Sequence, residues 1–209
     1  MLWAPADAAP AIGYGLAVTL SLNPRTTALI LIDIQKGTLA MPLSPHGAGT
    51  VIANAARLGR AFNEAGATVA LVHVAFSADG RDRLSQPVDA PMPIGNMPAD
   101  WSDLAPEIAS LSADVAIAKR HWGAFHGTEL DLQLRRRAID TVVIGGIATN
   151  FGVEQTAREA RQLNYAVVIA EDASSSIGDD LHRFSIEKIM PRLARVRSTD
   201  EIVAALRAQ

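Results

Sequence analysis

"GGIATNFGVEQTAREA", residues 145–160, runs from the end of an apolar strand through a tight turn into a polar-faced helix. Val153, Ala157 and Ala160 give that helix an apolar stripe. The run leading into it, TVVIGGI (141–147), is apolar almost without interruption. Continuous rather than alternating hydrophobicity marks a parallel strand covered on both faces. A strand–turn–helix unit of this kind often presents a nucleophile to converging backbone N–H groups. Here the centre of the turn is Gly152, which has no side chain to attack with.

The same alternation extends in both directions. TALILIDI (27–34) is a continuous apolar run ending in an acid, and a helix over 50–65 follows it, closed by Gly66. TVALVHVAF (68–76) is the second strand. Residues 77–106 hold Pro87, Pro91, Pro93, Pro98 and Pro106 without periodicity, which predicts a long loop with one short helix. DVAIAK (114–119) is a strand, and 127–137 a helix with Thr128 and Asp131 spaced as a capping pair. YAVVIAED (165–172) is a strand, and a helix over 179–190 is stopped by Pro191. ARVRS (194–198) is a last short strand, and Ser198 with Glu201 forms a capping box that opens a C-terminal helix. Alternation of this kind predicts an α/β fold with a parallel sheet between two helical layers. Ligands of such folds bind beyond the carboxyl ends of the strands, where the winding reverses.

Composition narrows the function classes. The chain has 209 residues, enough for one α/β domain with a single large core. A net charge of −3 gives no electrostatic reason to expect nucleic acid. The one basic run, residues 135–137, ends a predicted helix and complements its carbonyl end. With 0 cysteines the chain has no thiol chemistry and fits a reducing compartment. No apolar stretch approaches the ~18 residues that span a bilayer, so no membrane partner is expected. The start, MLWAPADAAPAIGYGLAVTL, lacks the basic residues of a secretory signal, and the expected location is cytoplasmic.

Chemistry-bearing residues gather at strand ends. Asp33 closes the first strand, as a loop anchor or as a general acid/base. Lys119 opens KRHWGAFHGTEL, and Trp122 and Phe125 close behind it suggest a partly dehydrated pocket rather than a solvated charge. A buried lysine near a buried aspartate offsets its desolvation only by pairing with it. The glycine pattern at Gly145 and Gly146 is not a dinucleotide fingerprint, and no phosphate loop is present, so no cofactor is expected. None of His46, His73, His121, His126 and His182 pair at metal-ligand spacing, and no metal is expected. Ser174, Ser175 and Ser176 read as turn and capping residues.

Taken together, an Asp ending the first strand, a Lys before an aromatic-rich turn, and Gly-Ile-Ala-Thr-Asn-x-x-Val-Glu-x-Thr-Ala-Arg-x-Ala resemble the isochorismatase-like hydrolases, the cysteine hydrolase superfamily. The resemblance covers residues 25–208 and is closest to a branch that lacks the cysteine. It implies a six-stranded parallel sheet in three layers and a catalytic Asp, Lys and Cys. Those roles carry over to Asp33 and Lys119; the third falls on Gly152 and does not carry over. In the cysteine branch the Asp takes the thiol proton and the thiolate attacks a carbonyl. True isochorismatases also have glycine there, and their Asp protonates a vinyl ether so that water captures the resulting cation. They place a tyrosine where Ala148 stands and a glutamine near His73 to Ser77, so neither substrate carries over. MPLSPHG also lacks the Asp-x-His pattern of nicotinamidase metal sites.

The resemblance further implies a cis peptide between Ile147 and Ala148, with backbone N–H groups of Ala148 and Gly152 facing the site. Asn150, Phe151, Trp122, Phe125, His73 and Phe76 are the expected pocket lining. Two readings of function stand: thiol-independent hydrolysis of a small molecule by Asp33 and Lys119, or a catalytically silent binding or assembly protein that kept the pocket. Residues 25–209 form the expected domain and 1–24 an extension rich in large apolar side chains, Leu2, Trp3, Ile12 and Tyr14 among them. That arm packs on a neighbouring subunit of a dimer or tetramer, as homo-oligomeric relatives suggest, or folds back on its own domain.

Overall fold

The computed structural model describes residues 19–91 and 97–207. The chain alternates between strands and helices: β1 (Thr27–Ile32), α1 (Lys36–Leu39), α2 (Ala48–Glu64), β2 (Thr68–Val74), α3 (Pro106–Ala109), β3 (Val115–Lys119) and α4 (Leu130–Arg136). It continues through β4 (Thr141–Ile147), α5 (Glu154–Gln162), β5 (Ala166–Ser175), α6 (Asp179–Phe184), β6 (Arg195–Arg197) and α7 (Thr199–Arg207). The strands form one 6-stranded parallel sheet in the order β3-β2-β1-β4-β5-β6. The winding reverses between β1 and β4, so the residues that follow these two strands share the switch-point crevice.

β1 is buried along its whole length, as its unbroken apolar run requires. Its side chains alternate between two cores. Leu29 and Leu31 meet α2, α3 and α7 through Leu58, Phe62, Ile108 and Ile202. Ala28, Ile30 and Ile32 meet the opposite layer through Leu130, Leu134, Ala157 and Ala160. This is the three-layer arrangement expected from the pattern. Each fully buried Leu or Ile contributes about 1.5–3 kcal/mol relative to exposure.

Element ends follow their local chemistry with two exceptions. Gly66, at φ 65°, follows the C-cap of α2 in the left-handed region that glycine tolerates best. Ser198 and Glu201 form the reciprocal box that opens α7: the Ser198 N–H donates to Glu201 Oε2 (2.9 Å) and the Glu201 N–H to Ser198 Oγ (3.3 Å). Thr128 and Asp131 do not form the expected pair. The Leu130 N–H donates to Thr128 Oγ1, while Asp131 Oδ1 accepts from the Tyr165 hydroxyl, so tertiary contacts claim the carboxylate. The helical run expected over 179–190 forms: α6 passes at Phe184 directly into a π-helical stretch, Ser185–Ile189, and the run ends in a 3-10 turn, Met190–Arg192, that contains Pro191. Ser174 and Ser175 lie within β5 rather than in a turn, and the Ser174 hydroxyl donates to the Ala170 carbonyl (2.8 Å) across a bulge.

The described end of the N-terminal extension belongs to the domain. Leu20 and Leu22 are buried in the α2/α7 core, and the Leu22 N–H donates to the Ala205 carbonyl. The expected contact of the arm with a neighbouring subunit concerns residues 1–18, outside the described residues. No helix among the described residues is long and apolar enough to cross a membrane.

Candidate active site

Asp33 stands immediately beyond β1 at φ 51°, a left-handed conformation that few non-glycine residues adopt and that concentrates at functional sites. Its neighbours hold it there. The Asp33 N–H donates to the Val72 carbonyl (2.8 Å), and Thr38 Oγ1 lies against the carbonyl oxygens of Asp33 and Gln35. Gln35 is fully buried and fastens the two strand ends together. Its Oε1 accepts from the Val74 N–H (2.8 Å), and its Nε2 donates to the carbonyls of Val74 (3.0 Å) and Trp101 (3.2 Å). Sequence reasoning passed over Gln35 and Thr38, which lie just beyond β1 and in α1, and no local pattern marks them.

Lys119 closes β3, two strands away from β1, and reaches across to Asp33. Its Nζ donates to Asp33 Oδ2 at 2.6 Å and to the His121 carbonyl at 3.0 Å. The two side chains retain only 1% and 7% exposure, so this pair is buried rather than superficial. Asp33 Oδ1 is buried with no hydrogen-bond partner among the described residues. Burial pushes the Asp33 carboxyl up to about 6, against the opposing charge and hydrogen bond of Lys119. Desolvation therefore wins over pairing, and the carboxyl holds a proton far closer to neutrality than an exposed aspartate does.

The turn carrying Lys119 is braced by the helix of the opening motif. The Ala124 N–H donates to Thr156 Oγ1 (3.2 Å), and the Phe125 and His126 N–H groups donate to Glu159 Oε2 (2.9 and 3.3 Å). Thr156 thus gives one position of the motif a structural role, and Glu159, at a position the motif leaves open, is a second brace: α5 holds the lysine turn in place. Neither was singled out as a site residue from sequence.

At the end of β4, Gly146 (φ 133°) lets the strand approach β1, since a Cβ there would lie 2.0 Å from the Ile32 carbonyl oxygen. The peptide between Ile147 and Ala148 is cis. A π-helical turn, Thr149–Val153, then leads into α5. Gly152 is buried, and a Cβ there would lie 3.2 Å from Asp33 Oδ2 and 3.1 Å from Ile32 Cγ2. Asp33, Lys119 and Gly152 therefore converge, although they come from three strand ends.

The expected lining divides. Trp122, half exposed, and Phe151 bring their rings to 5.0 Å and join the turns after β3 and β4. Asn150 Oδ1 accepts from the Ser176 hydroxyl (2.5 Å), which ties that turn to the end of β5. His73 is half-buried, and burial together with the charges of Arg120 and Lys119 holds its imidazole below the usual range. Phe76 stacks on Trp101 (6.2 Å) and takes the Arg83 guanidinium on its face (5.0 Å). Phe76, Arg83 and Trp101 wall a cavity of about 430 Å³ that Asp33, Lys119 and the other expected lining residues do not line. Phe125 is the correction: it does not line the site but is buried in the α4/α5 core, its ring 5.7 Å from that of Tyr165. The apolar environment that its position near Lys119 suggested is the core itself.

Among the histidines, His46 and His182 meet, with Glu171 between them. His46 Nε2 lies 2.8 Å and His182 Nε2 3.1 Å from Glu171 Oε1. No sequence spacing announces this cluster, because His46 and Glu171 are 125 residues apart.

Comparison with known proteins agrees with this fold. Residues 27–201 match the family model for the Isochorismatase domain. The chain is 49% identical over 187 residues to the uncharacterized isochorismatase family protein YecD of Escherichia coli O157:H7, covering 90% of this chain and 100% of that protein. It is 27% identical over 223 residues to the ureidoacrylate amidohydrolase RutB of Variovorax paradoxus, covering 95% of this chain and 88% of that one. Among solved structures, an isochorismatase family protein from Burkholderia thailandensis superposes with a TM-score of 0.85 at 42% identity, over 90% of this chain and 99% of that one. With the domain match spanning the sheet from β1 into α7, the chain belongs to the isochorismatase family.

Proposed function

We propose that the protein hydrolyses a small molecule without a covalent nucleophile, with Asp33 as general acid/base and Lys119 as its partner. One observation carries the reading. Asp33 is a buried carboxyl with Oδ2 on Lys119, Oδ1 without a hydrogen-bond partner among the described residues, and its proton affinity pushed up to about 6. A carboxyl so poised gives and recovers a proton near neutral pH, which contributes typically 10²–10⁴-fold to a rate. The similarity to an amidohydrolase over most of both chains supports hydrolysis as the reaction class.

The chemistry balances as follows. The Oδ1 proton passes to the substrate at the bond to be broken, and the bonding electrons move towards it. Water adds to the electron-poor centre and sheds a proton, which returns to Asp33. The Lys119 ammonium keeps the transient carboxylate from standing as a lone buried charge. Gly152 puts no side chain against Asp33 Oδ2, where even a Cβ would stand at 3.2 Å. The chain also acts, in this reading, as a homo-oligomer; light scattering of the full chain tests that, and a monomer mass overturns it.

The test is an incubation of wild-type protein and Asp33→Asn with a small-molecule extract, read by mass spectrometry for species that gain one water. Wild type converts at least one component and Asp33→Asn does not. Components that raise the melting temperature of both proteins with no product from either would make this a silent binding protein instead.

A further inference from the structure

His46, Glu171 and His182 form a cluster that the proposed chemistry does not use. We propose that these three side chains constitute a divalent-cation site of the zinc type. Their ligand atoms all lie within 4.8 Å of one another. Both imidazoles aim Nε2 at the same carboxylate oxygen, and their rings stand almost perpendicular (85°) with centroids 5.5 Å apart, so they meet at an edge rather than stack. Two imidazoles and one carboxylate form a donor set that zinc favours, with a fourth position left for water.

The support around the cluster fits the same reading. His46 lies between α1 and α2, Glu171 in β5 and His182 in α6, so a bound ion would cross-link three separate segments. The backbone groups of Ser44 and Ser176 bond reciprocally (2.8 and 3.1 Å), which holds the His46 segment against the end of β5. His182 Nδ1 lies 2.8 Å from Thr149 Oγ1. That hydroxyl donates to Nδ1 when Nε2 carries the proton, and accepts from Nδ1–H when Nε2 gives its lone pair to a metal. This is the outer-shell contact that fixes a ligating imidazole. Because Thr149 opens the turn that contains Gly152, the ion would also steady that turn. The His182 side chain is 4% exposed, whereas His46 and Glu171 keep 24% and 31%, so an ion has a path in.

The experiment titrates zinc, and separately cobalt, into full-length protein stripped with a chelator. Calorimetry should give one ion per chain, and cobalt should show the visible bands of four-coordinate geometry. Zinc at a hundredfold excess over its Kd should raise the melting temperature by roughly 5–10 °C. His46→Ala and Glu171→Gln, both at partly exposed positions, should keep the fold by circular dichroism and weaken zinc at least tenfold. Absence of stoichiometric binding by the stripped protein overturns the site. So does binding of unchanged affinity in both variants, which would place the ion elsewhere.

Discussion

Lys119 Nζ lies 2.6 Å from Asp33 Oδ2, both side chains are almost wholly buried, and yet burial raises the Asp33 carboxyl from its ordinary 3.8 to about 6. Desolvation of the carboxylate outweighs attraction to the ammonium. The pair is therefore a proton-holding device more than a stabilising salt bridge.

A first consequence is the direction of the pH profile. If Asp33 delivers a proton in the opening step, its acid form is the active one, and kcat/KM should be level below about 6 and fall close to tenfold per pH unit above it. Initial rates between pH 4.5 and 8.5, in buffers matched for ionic strength, check this. A rate that rises through 6 to a plateau would make Asp33 a base in the first step and reverse the order of proton transfers.

Stability should respond to pH with a sign set by the same shift. A carboxyl whose folded pKa is raised contributes stability that is fully present below its unfolded value, 3.8, and lost as pH rises through about 6. Lys119→Met removes the opposing charge and hydrogen bond, so the Asp33 midpoint should move above 6 and the loss should extend to higher pH. The variant should melt close to wild type at pH 5 and fall below it at pH 8, by about 3 kcal/mol for a broken buried pair. Equal deficits at both pH values would show that Lys119 acts through packing alone.

The difference between what the sequence discloses and what it hides follows from distance along the chain. TALILIDI and TVVIGGI betray two-sided burial within a few residues, so the parallel sheet and the placement of Asp33 at its carboxyl edge are legible. Gly66 and the Ser198–Glu201 box are legible too, since each is local backbone chemistry. Phe125 and Asp131 are misread because tertiary partners, Tyr165 in both cases, decide where those side chains go. Gln35 reaches residues 39 and 66 positions away, and a one-dimensional pattern has no access to such bonds.

Glu159 should prove a positioning residue. Its Oε2 accepts two backbone N–H groups of the lysine turn, and no residue of the proposed chemistry touches it. Glu159→Ala leaves those donors without their acceptor, at a cost of about 1–3 kcal/mol. The melting temperature should fall by several degrees, and kcat should drop through the displaced Lys119 while the pH midpoint of Asp33 moves. Glu159→Gln, which keeps an acceptor, should restore most of both. A variant that melts lower but keeps the wild-type pH midpoint would confine Glu159 to a structural role.

Gly152 offers a direct chemical test of where the site opens. Because the chain contains 0 cysteines, Gly152→Cys creates a single thiol that mass spectrometry can follow without background. Its Cβ would stand 3.2 Å from Asp33 Oδ2, 3.2 Å from the Ile147 carbonyl oxygen and 3.1 Å from Ile32 Cγ2, tighter than ordinary contact. The strain should cost about 1–3 kcal/mol, enough to lower the melting temperature without preventing folding. Lys119, paired to Asp33 at this spot, should favour the thiolate and draw the thiol below the usual ~8.5. The native variant should therefore be alkylated by iodoacetamide at pH 7 faster than free cysteine, and the further substitution Lys119→Met should slow that labelling. Alkylation that occurs only after denaturation would show Gly152 sealed from solutes, and the space beside Asp33 could not then receive a substrate.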